Sequence, residues 1–269
     1  MILRAYFGLK ENPFNMKKIK LLPHQDEIFQ ILMIHSQQGG LCTLMGDTGT
    51  GKSVTKEALK QYANEDKRMI VISIGRTLHT YTNTVKMLCD AFKIQSDGDA
   101  CKCEKKLIEE TFKINRNGKS LVTIIDDAHL MEIENLRKLR LLFEDFPKNH
   151  NLILVGQPSL LYNLNTNIND DIKSRITYSV IIPKLNQDDI KLFIFSQLDR
   201  INLPHSTFTD EALNLIIKSS EGYLRRVRNL CLSCLLEAVK EQTKEITLNI
   251  VNYVLMQPHW RKEYDMDKV

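Results

Sequence analysis

Gly46-Asp47-Thr48-Gly49-Thr50-Gly51-Lys52-Ser53 is the stretch on which the reading of the whole chain turns. It follows the apolar run Leu41-Cys42-Thr43-Leu44-Met45 and leads into a helical pattern from Val54 to Tyr62. The local order is therefore strand, glycine loop, helix. The spacing G-x-x-x-x-G-K-S suits a polyphosphate, because backbone N–H groups can wrap the phosphates only where no Cβ stands in the way. Lys52 brings a positive charge to the β- and γ-phosphates, Ser53 offers a hydroxyl to Mg²⁺, and the helix starting there presents its positive dipole end. The expected ligands are ATP and Mg²⁺.

Outward from the loop, β-like runs and helical periodicity alternate. His24 to Ser36 reads as a helix, Met69 to Ile74 as a strand and Tyr81 to Phe92 as a helix. Ile94 to Cys103 has loop composition, and Glu104 to Asn115 returns to helical spacing. Leu121-Val122-Thr123-Ile124-Ile125 is a short apolar run of the kind found in parallel sheets covered on both faces. A helix over 131–146, a strand from Asn151 to Val155, a turn at Gln157-Pro158 and a strand from Tyr178 to Ile182 follow. This alternation predicts a three-layer α/β parallel sheet. Past Pro183 helical spacing takes over, in Gln187–Ile201, Thr209–Ser220, Leu224–Glu241 and Leu248–Leu255. The expected organisation is an irregular arm over 1–20, an α/β nucleotide-binding domain over 21–184, a helical domain over 185–256 and a tail over 257–269.

With 269 residues, 43% apolar and 26% charged, the chain can bury one core and a smaller appended one, and disordered or collagen-like classes are excluded. A net charge of +4 is compatible with nucleic acid without requiring it. The basic clusters Arg137-Lys138-Leu139-Arg140 and Arg225-Arg226-Val227-Arg228 read as solvated helix faces. Three of the six cysteines (42, 89, 101, 103, 231, 234) fall inside expected strands or helices, which favours reduced thiols, and their spacing does not suit zinc. No run approaches the ~20 apolar residues of a spanning helix, so no membrane partner and a cytoplasmic location are expected.

Further chemistry is expected at strand ends. Asp126, closing the run 121–125, is the candidate Mg²⁺ partner, with Ser53 the other. Asp127 would polarise the attacking water. Gly156-Gln157 puts an amide at the end of another strand, able to orient water or touch the γ-phosphate. Lys173 and Arg175, before the last strand, could project toward a neighbouring subunit's nucleotide.

The order of these elements resembles an AAA+ ATPase, a P-loop NTPase with a C-terminal all-helical lid. More narrowly it resembles the ExeA-like group, which takes in a type II secretion ATPase and the transposon target-selection ATPases of the TniB and TnsC type. The likeness rests on Tyr6-Phe7-Gly8-Leu9-Lys10-Glu11-Asn12-Pro13-Phe14, on His24 before the first helix, on Leu154-Val155-Gly156-Gln157-Pro158 and on Gly222-Tyr223-Leu224-Arg225-Arg226-Val227, and runs from about residue 5 to 255. It implies that His24 belongs to the nucleotide site, that Gln157 is the first sensor, Arg175 an arginine finger acting on a neighbour, and Arg225 the lid arginine that reaches the γ-phosphate. Leu224 stands where the group has proline, and Asp127 where it has glutamate.

Two function classes follow. One is a regulator of DNA transposition that assembles on double-stranded DNA with ATP, as a ring or helical filament, and recruits a transposase. The other is a secretion-assembly ATPase, and a protein-directed switch stays open beside both. Secretion members carry a membrane span after the ATPase region, so a complete chain that ended soon after the lid would favour the DNA reading. Candidate DNA contacts are Arg76, Thr77 and Thr80, with Lys102, Lys105 and Lys106 as a second group.

Overall fold

The computed structural model describes residues 2–14, 19–75, 80–96, 98–165 and 167–260. The chain opens with a short helix, α1 (Ile2–Phe7), followed by α2 (Pro23–Gln38), β1 (Gly40–Met45), α3 (Lys52–Glu65), β2 (Met69–Ile74) and α4 (Tyr81–Ala91). Next come α5 (Ala100–Arg116), β3 (Ser120–Ile125), α6 (Ile133–Glu144), β4 (Asn151–Gly156), α7 (Ser159–Leu164), α8 (Asp170–Lys173) and β5 (Ile176–Ile181). The remainder is helical, in α9 (Gln187–Arg200), α10 (Asp210–Ser219), α11 (Leu224–Lys240) and α12 (Leu248–Leu255). Two compact units result: Pro23–Ile182, and Met1–Leu22 together with Pro183–Val269.

In the first unit the strands form a five-stranded parallel sheet in the order β2-β3-β4-β1-β5. The apolar runs of β1, β3 and β4 split by alternate residues between two cores, as the period of two in a strand demands. Met45, Ile125, Leu152 and Leu154 join Leu88 of α4, Leu107 of α5 and Leu139 of α6 on one face. Leu44, Ile124, Ile153 and Val155 join Leu32 of α2 and Leu59 of α3 on the other. Both faces are thus covered by helices, and the three-layer α/β sheet expected from the sequence is what forms. Among the described residues no helix is long and apolar enough to cross a membrane.

Several local expectations are corrected. The arm, read as irregular, is helical over Ile2–Phe7, and Phe14 is buried against Phe193 with ring centroids 6.3 Å apart. The loop read through Cys103 ends earlier, because the Asp99 carboxylate accepts the Lys102 N–H at 2.9 Å and starts α5 at Ala100. The helix read over 131–146 starts at Ile133, after a 3-10 turn at Ala128–Leu130. The last strand begins at Ile176, and two short helices, α7 and α8, precede it.

The helical unit is set by caps and one close approach. The Asn186 side chain accepts the Asp189 N–H at 2.7 Å, and Thr209 accepts that of Ala212 at 3.2 Å. Gly222 has φ +83°, and a Cβ there would lie 2.8 Å from the Leu185 carbonyl oxygen, so the entry to α11 requires glycine.

Candidate nucleotide site

In a parallel α/β sheet, loops leaving the carboxyl ends of neighbouring strands converge, and the ligand cleft lies there. Here β1, β4 and β3 are adjacent in that order, so their ends present Gly46, Gly156 and Asp126 within about 10 Å at the usual strand spacing. The Gly46 N–H donates to the Gly156 carbonyl at 3.2 Å, which holds the loop root on the end of β4.

The loop is pinned from inside. The Thr50 N–H and hydroxyl both donate to the Asp47 carbonyl, at 3.3 and 2.9 Å, and Gly51 adopts φ +113° before α3 begins at Lys52. A Cβ on Gly46 would stand 2.6 Å from the Thr50 hydroxyl, so this turn closes only around glycine. The Lys52 ammonium folds back to donate to the carbonyls of Gly46 and Asp47, at 2.6 and 2.9 Å. These are neutral acceptors that a phosphate oxygen would outcompete, since charge-assisted bonds are the stronger. Ser53 is exposed on the first turn of α3. Cradle, ammonium and hydroxyl together fit a nucleoside triphosphate with magnesium.

Across the cleft, Asp126 follows β3, its N–H donating to the Ile74 carbonyl at 2.9 Å. One carboxylate oxygen accepts the Asp127 N–H at 3.1 Å, and the other is ion-paired with Lys56 of α3. Asp127 has φ +54°, in the left-handed region that aspartate tolerates better than most side chains. Between the two strand ends, the Gln157 side-chain amide donates to the Thr48 hydroxyl at 3.3 Å. The structure therefore brings Lys52, Ser53, Asp126, Asp127 and Gln157 to one edge of the sheet. His24 lies in the first turn of α2 in the same unit, and Arg225 is exposed in the first turn of α11 in the helical unit.

Arg175 lies at the opposite edge. Register pairs Leu41 with Ile176, so Arg175 precedes β5 at the amino ends of the strands, about 17 Å or more from the glycine loop along six-residue strands. Its side chain, 61% exposed, reaches Glu144 at 3.3 Å on the rim of a cavity of about 230 Å³. Lys173 is exposed on α8.

Two features were missed in the sequence. Lys56 is one turn past Lys52, and that spacing alone places it on the same helix face. Arg137 and Arg140, read as a solvated cluster, are mostly buried partners: Arg137 holds Asp171 at 3.0 Å, Glu134 at 2.6 Å and the Ile168 carbonyl at 3.0 Å. That network ties α6 to the segment carrying Arg175, and no local pattern announces partners so far along the chain.

Of the DNA candidates, Arg76 and Thr77 lie outside the described residues. Thr80 is exposed before α4, and Lys102 and Lys105 are exposed on α5, while the Lys106 ammonium donates to the Gln95 carbonyl at 3.0 Å. The Tyr81 hydroxyl donates to Glu104 at 2.8 Å, which draws Thr80 and the Lys102–Lys106 turn together. Burial and, after it, the Glu104 carboxylate raise the Tyr81 pKa, so the phenol stays a donor. Lys138 of α6 lies 6.0 Å over the same ring and adds a further charge.

Residues 34–164 match the family described as AAA domain. General secretion pathway protein A of Aeromonas hydrophila is 28% identical over 251 residues, covering 90% of this chain and 46% of that protein. The chain thus spans less than half of that relative's length. Among solved structures, Cdc6p of Pyrobaculum aerophilum superposes with a TM-score of 0.71 at 17% identity, covering 90% of this chain and 68% of that one. The Aeropyrum pernix ORC1 protein in complex with DNA gives 0.65 at 12% identity, covering 94% and 67%. At these identities the likeness is one of fold, and the fold is that of a P-loop AAA+ NTPase.

Proposed function

We propose that the AAA+ P-loop ATPase domain of this chain drives an ATP-dependent switch that assembles with copies of itself on duplex DNA and regulates transposition, selecting a target and recruiting a transposase. The observation that carries the switch is the division of the site between two edges of one sheet. Lys52, Ser53, Asp126 and Gln157 gather at the carboxyl edge, while Arg175 stands exposed at the amino edge, too far to serve its own phosphates. A site of that form is completed by a neighbour.

In this reading Lys52 and the loop N–H groups hold the β- and γ-phosphates, and Ser53 and Asp126 hold magnesium, which neutralises charge on the phosphate oxygens when bound. Asp127 orients and deprotonates water, Gln157 positions it, His24 flanks the nucleotide, and Arg225 of the helical unit answers the γ-phosphate. Arg175 of one subunit stabilises charge on the nucleotide of the next.

The DNA part is supported by the exposed Lys102 and Lys105 of α5, the helix whose Glu104 accepts from Tyr81, by Lys138 over the same ring, and by the DNA-bound ORC1 of like fold. Repetition in an assembly multiplies a modest patch into many phosphate contacts. The likeness to general secretion pathway protein A favours a second reading, a protein-directed secretion-assembly ATPase sharing the same nucleotide machinery. Calorimetry with ATP and Mg²⁺ tests the shared part: Lys52→Ala is expected to abolish nucleotide binding, and equal affinity in variant and wild type would refute the site.

A further inference from the structure

Lys56 is not part of the phosphate-loop spacing, yet its ammonium is ion-paired with the carboxylate that the site reserves for magnesium. It lies four residues after Lys52 and three after Ser53, so α3 sets Lys56 beside each of them, one turn further along. Its side chain is 15% exposed and that of Asp126 20%, so both ends of the pair are largely withdrawn from water, where a charge needs its partner most. One carboxylate oxygen accepts the Asp127 N–H and the other is paired with Lys56, so a cation arriving at that second oxygen meets the Lys56 ammonium.

We propose that Lys56 is an internal cation that holds the magnesium place at Asp126 until Mg²⁺ and ATP displace it, and so sets how much magnesium the protein needs. This rests on the reading of Asp126 as a magnesium partner. An ammonium and a divalent ion compete for the same oxygen, and metal affinity falls by the fraction of molecules in which the pair is open. The strongest exposed pairs would give about fivefold, and a pair withdrawn from water gives at least that. Lysine suits the task, since its flexible stem lets the ammonium leave for solvent without moving the backbone. With the pair closed, the Asp126 carboxylate keeps a counter-charge in the nucleotide-free protein.

The test is the Mg²⁺ concentration that half-saturates binding of a non-hydrolysed ATP analogue, measured by calorimetry on the full chain. Lys56→Met is expected to lower that concentration by about fivefold or more and to lower the melting temperature without nucleotide, with the loss recovered on adding Mg²⁺ and the analogue. Lys56→Arg, which keeps the pair, is expected to behave as wild type. Lys56→Gln gives the same comparison should the methionine variant not fold. An unchanged or raised magnesium requirement in the charge-removing variants overturns the inference. Asp126→Asn separates the two levels: if it leaves the requirement unchanged, the magnesium assignment itself fails. If it raises the requirement while Lys56→Met does not lower it, the Lys56 inference alone fails.

Discussion

The side-chain amide of Gln157, at the end of β4, donates to the hydroxyl of Thr48 in the glycine loop at 3.3 Å. This contact couples β4, the strand between the one that ends at Asp126 and the one that ends at Gly46, to the loop that would wrap the phosphates. Gln157→Ala is expected to bind ATP nearly as well as wild type but to hydrolyse it slower by on the order of a hundredfold to a thousandfold, as when one positioned donor is removed. Single-turnover rates beside calorimetric affinities check this, and a change confined to affinity would make Gln157 a loop brace only.

Asp127 carries a carboxylate one methylene shorter than the glutamate found at this place in the ExeA-like group, and its φ of +54° suits aspartate. The shorter reach is expected to slow turnover, by on the order of a hundredfold for a misplacement of about an ångström. Asp127→Glu should therefore hydrolyse ATP faster under saturating nucleotide, with a small loss of thermal stability from the left-handed backbone. A variant no faster than wild type would remove Asp127 from the role of base.

Arg175 reaches Glu144 on its own chain and is 61% exposed. Turnover per molecule is expected to rise with protein concentration, and Arg175→Ala to keep ATP affinity while losing that rise. Mixing Arg175→Ala with Lys52→Ala should restore part of the activity, because some interfaces then pair an intact loop with an intact finger. The absence of rescue at every mixing ratio would leave Arg175 a surface charge.

His150 is buried under the sheet with its Nε2 2.9 Å from the Thr123 hydroxyl, and burial lowers its pKa from 6.5 to about 3. The folded protein keeps the ring neutral while the unfolded chain takes up a proton below pH 6.5, so the unfolded state binds more protons and stability is lost as the pH is lowered. The loss begins near the ordinary value of 6.5 and continues toward about 3, at up to about 1.4 kcal/mol per pH unit. Denaturant midpoints across this range should show a shallower acid slope in His150→Gln, and parallel slopes would locate the acid sensitivity elsewhere.

The nucleotide edge was legible because its signals are local. An apolar run followed by Gly46 to Ser53, and another followed by Asp126-Asp127, each announce a strand end within ten residues. Gln157 was legible for the same reason, although its meeting with Thr48 was not. What was missed depends on partners distant in sequence. Lys56 meets Asp126 across 70 positions, and Arg137 finds Asp171 and the Ile168 carbonyl 34 and 31 positions away, where charge runs alone suggested solvated faces. The short helices α1, α7 and α8 went unread because so few residues show no periodicity, and α5 was begun late because the Asp99 cap was taken for loop.

Duplex-DNA binding, followed by fluorescence anisotropy with and without a non-hydrolysed ATP analogue in wild type and Lys52→Ala, bears most directly on the reading of this chain as an ATP-assembled DNA-binding switch. Wild type with the analogue is expected to bind with little sequence preference and to weaken steeply as salt rises, as phosphate contacts do. Lys52→Ala, and wild type without nucleotide, should bind far more weakly. Replacing Lys102, Lys105 and Lys138 together should flatten the salt slope with ATP affinity unchanged. No DNA binding at low salt with the analogue, while ATP itself still binds, would contradict the reading and leave the protein-directed secretion ATPase in its place.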